Sequence, residues 1–175
     1  MRIATMLAAA LYCAVAVQSA PAQAATVATG EVGTMSGPVA GTAALIVRTD
    51  QTITCAVQTT ALDPGHAFSV WAIITEPDGD RFVFNFGGGA SNANGDLAFA
   101  GVIRAGPVPP ANGVNILAGG GVLDHTRDAD VFLVIRSHGP VIPGMQHVQF
   151  TTISGGCLPG EPNEGMCADK QHVDY

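Results

Sequence analysis

The sequence predicts an all-β chain folded as a single antiparallel β-sandwich, with a small β-barrel as the alternative. Three observations carry this. The chain holds 22 glycines and 11 prolines, the punctuation of many tight turns. Apolar residues recur with period two in about seven or eight short runs at roughly 10–15-residue spacing. No run shows the apolar stripe of an amphipathic helix.

The runs follow in order. Gly41 to Arg48 and Gln51 to Thr60 are separated by Thr49-Asp50, a hairpin-like break. In the second run Ile53, Cys55 and Val57 point one way, while Thr52, Thr54 and Gln58 point the other, as in a half-buried antiparallel strand. Leu62-Asp63-Pro64-Gly65 is a turn. Ala67 to Thr75 is a nearly continuous apolar strand containing Trp71. After the turn Glu76 to Asp80, residues Phe82, Phe84 and Phe86 share one face of a strand from Arg81. Gly87 to Gly95 reads as a glycine and asparagine loop ending in the hairpin signal Asn94-Gly95, and Asp96 to Ile103 as the next strand. Residues 104–129 are irregular, with Pro107, Pro109, Pro110 and Gly119-Gly120-Gly121 excluding a long element, although Val114 to Leu117 suits a short strand. Asp130 to Ser137 is the most hydrophobic strand, and Gln146 to Ile153 reads as the last.

The N-terminus supplies an address. Met1-Arg2 gives a positive start, Ile3 to Val17 is uncharged and apolar, and Ala22-Gln23-Ala24 is a small-residue pair at peptidase spacing. That is a secretory signal peptide, residues 1–24, and the apolar run is short for a bilayer span of about 20 residues. The expected organisation is therefore a signal at 1–24, a sandwich at 25–157 and a tethered tail at 158–175. The protein is expected to be exported, to a periplasm or the medium, with no integral membrane segment after cleavage. Removing 24 of 175 residues leaves 151, one ordinary domain. The formal charge goes from −7 to −8 with the loss of Arg2, and Lys170 is the single lysine. Such an acidic chain excludes nucleic acid and anionic lipid as partners.

Four cysteines are present, and Cys13 leaves with the signal. Cys157 and Cys167 bracket a Pro- and Gly-rich loop, and a disulfide between them would clip the tail to the last strand, worth roughly 2–3 kcal/mol by chain entropy. Cys55 is left over, as a small buried hydrophobe or as a reactive or intermolecular thiol.

Catalytic motifs are absent. There is no G-x-S-x-G elbow, no H-E-x-x-H and no C-x-x-C, and Ser137 and His138 point to opposite faces unless a bulge intervenes. Acid clusters at 78–80, 92–96 and 124–130 lack the full calcium-loop pattern. His66 and His138 lie beside turns at strand ends. A copper or zinc site would need the fold to bring these two histidines together. Arg136 and His138 share a face with Phe132 and Val134, so Arg136 needs a carboxylate or backbone carbonyls, with Asp63, Glu76 and Asp130 the candidate carboxylates. The alternative is an anion pocket, in which Arg136 clamps the ligand, Trp71 supplies an apolar wall and His138 a pH-dependent hydrogen bond.

Two blocks carry a resemblance. Leu62-Asp63-Pro64-Gly65-His66-Ala67-Phe68-Ser69-Val70-Trp71 and Val134-Ile135-Arg136-Ser137-His138-Gly139-Pro140-Val141-Ile142-Pro143-Gly144, continued by Gly155-Gly156-Cys157, resemble a family of exported, uncharacterised bacterial β-domain proteins. The resemblance implies a secreted single β domain and supports the Cys157–Cys167 clip; it brings no activity, substrate or catalytic residue. Phe132 stands where family members carry His, and an extra Cys after the Trp strand is missing, which weakens a metal reading. The expected function is thus a non-catalytic binding or envelope-structural module without a cofactor, with a small anionic ligand or a protein as partner. The rival is a His-based metal-binding protein or metal-dependent enzyme using copper or zinc, with His66, Trp71, Arg136 and His138 as the candidate site.

Overall fold

The computed structural model describes residues 24–34, 36–39, 42–108 and 121–175. The expected signal peptide lies outside them except for Ala24, as does the short strand expected at Val114 to Leu117. In chain order the elements are β1 (Thr26–Gly30), β2 (Gly33–Thr34), β3 (Gly37–Pro38), β4 (Ala43–Arg48), β5 (Thr52–Thr59), β6 (His66–Thr75), β7 (Arg81–Ala90), β8 (Leu97–Arg104), β9 (Gly106–Val108), β10 (Gly121–Leu123), β11 (Asp130–Pro140), α1 (Gln146–Thr151) and β12 (Ala168–Asp174). They form a four-stranded sheet ordered β1-β4-β5-β8, a six-stranded sheet ordered β3-β2-β12-β11-β6-β7 and the small ribbon β9-β10, all with antiparallel pairs. Neither large sheet closes on itself, so the chain is an all-β sandwich and not a barrel.

Strand parity builds the core. Ile53, Cys55 and Val57 of β5 face inward together, against Phe68, Val70, Ala72 and Ile74 of β6 and Val131, Leu133 and Ile135 of β11. Cys55 is buried and free, the packed-hydrophobe alternative, and its thiol lies against the Tyr175 hydroxyl. Burial, only partly offset by that contact, pushes the thiol up to about 11, so it is not a ready thiolate. The two sheets are also joined by a polar cross-tie. Gln171 of β12 accepts from Thr59 Oγ1 at 2.5 Å and donates to the Thr60 carbonyl at 2.8 Å.

Three expectations are corrected. Residues 158–175 are not a tail outside the sandwich, because Ala168–Asp174 pairs along β11, from Ser137↔Ala168 to Phe132↔Asp174. Only Gln171 and Val173 of β12 are buried, so its polar composition hid a strand recruited by β11's open edge. Gln146 to Ile153 is not a strand, since α1 occupies its first six residues. The misleading signal was the apolar pair Val148 and Phe150; the residue α1 buries is Gln149, whose amide takes the Ile142 N–H at 2.9 Å and donates to the Pro140 carbonyl at 3.0 Å. Finally, Gly87 to Gly89 belongs to β7 rather than to a loop. A Cβ on Gly88 would meet the Phe68 carbonyl oxygen at 2.3 Å and the Phe150 carbonyl oxygen at 2.9 Å, so glycine is what lets α1 lie on the sheet.

Glu76 anchors the opposite end. Its buried carboxylate accepts the Asp124 N–H at 3.0 Å and the His125 N–H at 2.6 Å through one oxygen. It therefore ends as a loop cap and not as a partner of Arg136. Replacing the charged acceptor by an amide weakens two charge-assisted bonds. Glu76→Gln is expected to lower unfolding free energy by about 1–2 kcal/mol in urea titration; an unchanged midpoint would rule out this anchoring.

Candidate functional site

The chain between β11 and β12, residues 141–167, folds back over the outer face of the six-stranded sheet as a flap. Antiparallel pairing places Ser69 opposite Arg136 and Trp71 opposite Val134, so these four side chains share that outer face. His138 joins them two residues further along β11, where the register breaks between Ser137 and Pro140. The flap covers this row, leaving Ser69 and His138 at 0% exposure and Trp71 at 2%.

Buried polar groups must be paired, and here they form one chain. The Trp71 indole N–H donates to Ser69 Oγ at 2.7 Å, and Ser69 Oγ lies 2.6 Å from His138 Nε2. On the other side His138 Nδ1 lies 3.1 Å from Sγ of Cys167, which is bonded to Cys157 as expected. One proton assignment satisfies every group: indole to serine, serine hydroxyl to Nε2, and Nδ1–H toward the Ser154 carbonyl beside the disulfide. Asn163 closes the cluster by donating to the carbonyls of His138 at 2.6 Å and Pro140 at 2.8 Å. Asn85 of β7 donates to the Phe150 carbonyl at 3.1 Å.

The electrostatics follow from burial. Desolvation, then the neighbouring Arg136 cation, pulls His138 down to about 4, against smaller opposing effects of the Ser154 carbonyl and Asp169. His138 is therefore neutral through the whole physiological range. Arg136 itself is neutralised: it bonds Asp169 at 2.5 Å and the Ile153 carbonyl at 3.0 Å. Its carboxylate is Asp169, and not Asp63, Glu76 or Asp130, because β12 sets Asp169 directly opposite it. The fork that an anionic ligand would use is thus occupied from within.

His66 stands apart from this cluster. It opens β6 with its side chain half-buried, 3.8 Å from Asp63, whose carboxylate also pairs with Lys170 at 2.9 Å and is held below the usual carboxylate range by it. Among the described residues, the His, Cys and acidic side chains close enough to share an ion as a group of three are His138, Cys157 and Cys167, without His66. The structure thus brings together Trp71, Arg136 and His138 but places His66 outside the group.

Sequence reasoning missed Ser69 and Asn163. A serine inside an otherwise apolar strand, two residues before a tryptophan, was the available signal: buried hydroxyls need partners. Ser69 and His138 have nucleophile–base proximity, and both are sealed from solvent beneath the flap.

A second feature lies on the opposite side of the molecule. None of the described residues outside this four-stranded sheet covers its outer face, and a shallow groove of about 830 Å³ runs over it between Thr29 and Ala98. Val27 is 61% exposed, Leu45 40% and Val102 54%. Cross-strand register puts all three on this face with Ala43, Ala56 and Ala100, and the charged side chain of this parity is Arg104, at the far end of β8. Neither a protein-family model, nor a curated protein, nor a solved structure matches the chain.

Proposed function

We propose that the protein is an exported, non-catalytic structural module that works by protein–protein contact through the outer face of its four-stranded sheet, and that the partner this face fits is a second copy of the chain. The carrying observation is that this face, in a chain of formal charge −7, carries no carboxylate: Val27, Leu45, Val47, Val102 and several alanines share it with Thr29, Thr52, Thr54 and Gln58, and Arg104 stands at its far end. Contiguous exposed apolar surface of this kind marks interaction sites. Two copies meeting here bring no carboxylates together, and a face meeting itself is the two-fold geometry of most dimers.

The size suits the reading. Four strands at about 4.8 Å spacing and up to roughly 26 Å long present about 500 Å² per copy, or about 1,000 Å² in total, near the lower limit of a specific interface. A groove open along one side covers little of a small ligand but accepts a flat protein surface. The reading takes its export from the N-terminal segment, and the Cys157–Cys167 disulfide agrees with an oxidising compartment. Among the described residues no helix is long and apolar enough to cross a membrane.

Sedimentation equilibrium of the purified chain tests this. The expected result is a reversible monomer–dimer equilibrium at micromolar concentration, unchanged by reductant because Cys55 is buried. Leu45→Lys and Val102→Lys should each weaken the dimer more than tenfold while leaving the melting temperature nearly unchanged, as expected of exposed positions. A monomer at all concentrations, or variants that dimerise as well as the parent, would overturn the reading.

A further inference from the structure

The disulfide sits beside the buried His138 ring. Cys157 Sγ, Cys167 Sγ and a ring nitrogen of His138 lie within 4.8 Å of one another. We propose that the Cys157–Cys167 disulfide caps a latent metal site. When a dithiol reductant opens it, the two thiolates and His138 Nδ1 bind one thiophilic cation of the zinc class, which replaces the covalent clip of the flap.

The chemistry balances. The dithiol delivers two electrons and two protons to the S–S bond, leaves as its own cyclic disulfide, and yields two thiols. Zn²⁺ then displaces both thiol protons to solvent, and the Nδ1 lone pair supplies the third ligand. A Cys₂His set with a water in the fourth position is a known zinc ligand class. With Zn–S near 2.3 Å and Zn–N near 2.0–2.1 Å, tetrahedral ligand atoms stand roughly 3.5–3.8 Å apart. The sulfur–nitrogen separation is 3.1 Å, so the site needs the sulfurs to part and Cys167 Sγ to draw back from the ring by roughly half an ångström.

Two further observations support the assignment. The far nitrogen of His138 is anchored 2.6 Å from Ser69 Oγ, which is itself fixed by the Trp71 indole at 2.7 Å. Metal-bound histidines take such an outer partner: with one proton shifted from Nδ1 to Nε2 and the Ser69 hydroxyl hydrogen rotated off that line, the bond becomes Nε2–H to serine oxygen. Both cysteines are only partly buried, so reductant and cation reach them from solvent while His138 stays sealed beneath. The inference is independent of the sheet-face contact on the other side of the molecule.

Cobalt(II) tests it on the full chain, reduced and desalted without oxygen. The expected result is one equivalent of Co²⁺ per chain with thiolate-to-cobalt charge-transfer absorption, displaced by Zn²⁺, and no such band for the oxidised chain. Ser69→Ala should weaken cobalt binding about tenfold or more by releasing the imidazole. Zn²⁺ should also restore the melting temperature lost on reduction, a readout that needs no variant. A reduced wild-type chain that takes up no cobalt overturns the proposal. So does cobalt uptake without thiolate absorption, equal uptake by the oxidised chain, or a reduced chain that zinc does not restabilise.

Discussion

Gly155→Ala is expected to destabilise the fold by about 3–5 kcal/mol, through overpacking plus backbone strain. A Cβ at this position would stand 1.9 Å from His138 Nδ1, 2.3 Å from Cγ and 2.5 Å from Cε1. The imidazole has no room to retreat, because it is fully buried and its far nitrogen is tied to Ser69 at 2.6 Å. The backbone at Gly155 adds to this with φ of 44°, in the left-handed region. Gly65→Ala separates the two costs, since φ there is 70° with nothing within 4 Å of the added carbon. That control should lose only about 1–2 kcal/mol. Chemical denaturation of both variants checks the difference; equal losses would mean that the flap tolerates a side chain over His138.

The second large effect is an acid limb set by His138. Its folded value of about 4 lies below the ordinary 6.5. The unfolded chain therefore binds a proton between these values that the folded chain refuses. Stability from this group is whole above pH 6.5 and falls as pH drops toward 4, by roughly 3 kcal/mol across the window. The groups that set it are the burial itself, Arg136, the Ser154 carbonyl and Asp169. Unfolding free energies at pH 7, 5.5 and 4.5 should show this slope in the wild-type chain and a flatter one in His138→Gln. An NMR titration gives an independent reading on the intact protein: the His138 ring signals should stay unshifted through pH 5. Protonation near pH 6.5 would show the imidazole to be in contact with water.

Much of the architecture was legible because it depends on local rules. Ile53, Cys55 and Val57 alternate with polar neighbours, and a half-buried strand has no other way to read. Cys157 and Cys167 announced their own pairing. The failures came where a segment's structure was imposed from outside. β12 is polar in five of its seven positions, yet it is a strand because β11 offers a row of backbone groups to be paired. α1 carries its buried contact on a glutamine rather than on its apolar residues, so periodicity pointed the wrong way.

The candidate site divides in the same manner. Trp71, Arg136 and His138 were singled out as a group, and they do share the outer face of the six-stranded sheet. That Trp71 and His138 are buried, that Arg136 is already paired with Asp169, and that Ser69 links Trp71 to His138 depend on register and on the flap. His66, the first residue of β6, falls outside: its side chain lies 3.8 Å from Asp63, which Lys170 pairs.

By itself, then, the amino-acid order determined the all-β class, the inward and outward faces of the main strands, and the disulfide clip, each a matter of residues a few positions apart. Only the tertiary structure decided which polar side chains meet beneath the flap and which sheet face the other described residues leave open. Those outcomes rest on contacts such as Ser69 with His138, 69 residues apart, and on whether another part of the chain covers a face. Short-range pattern carries no record of either.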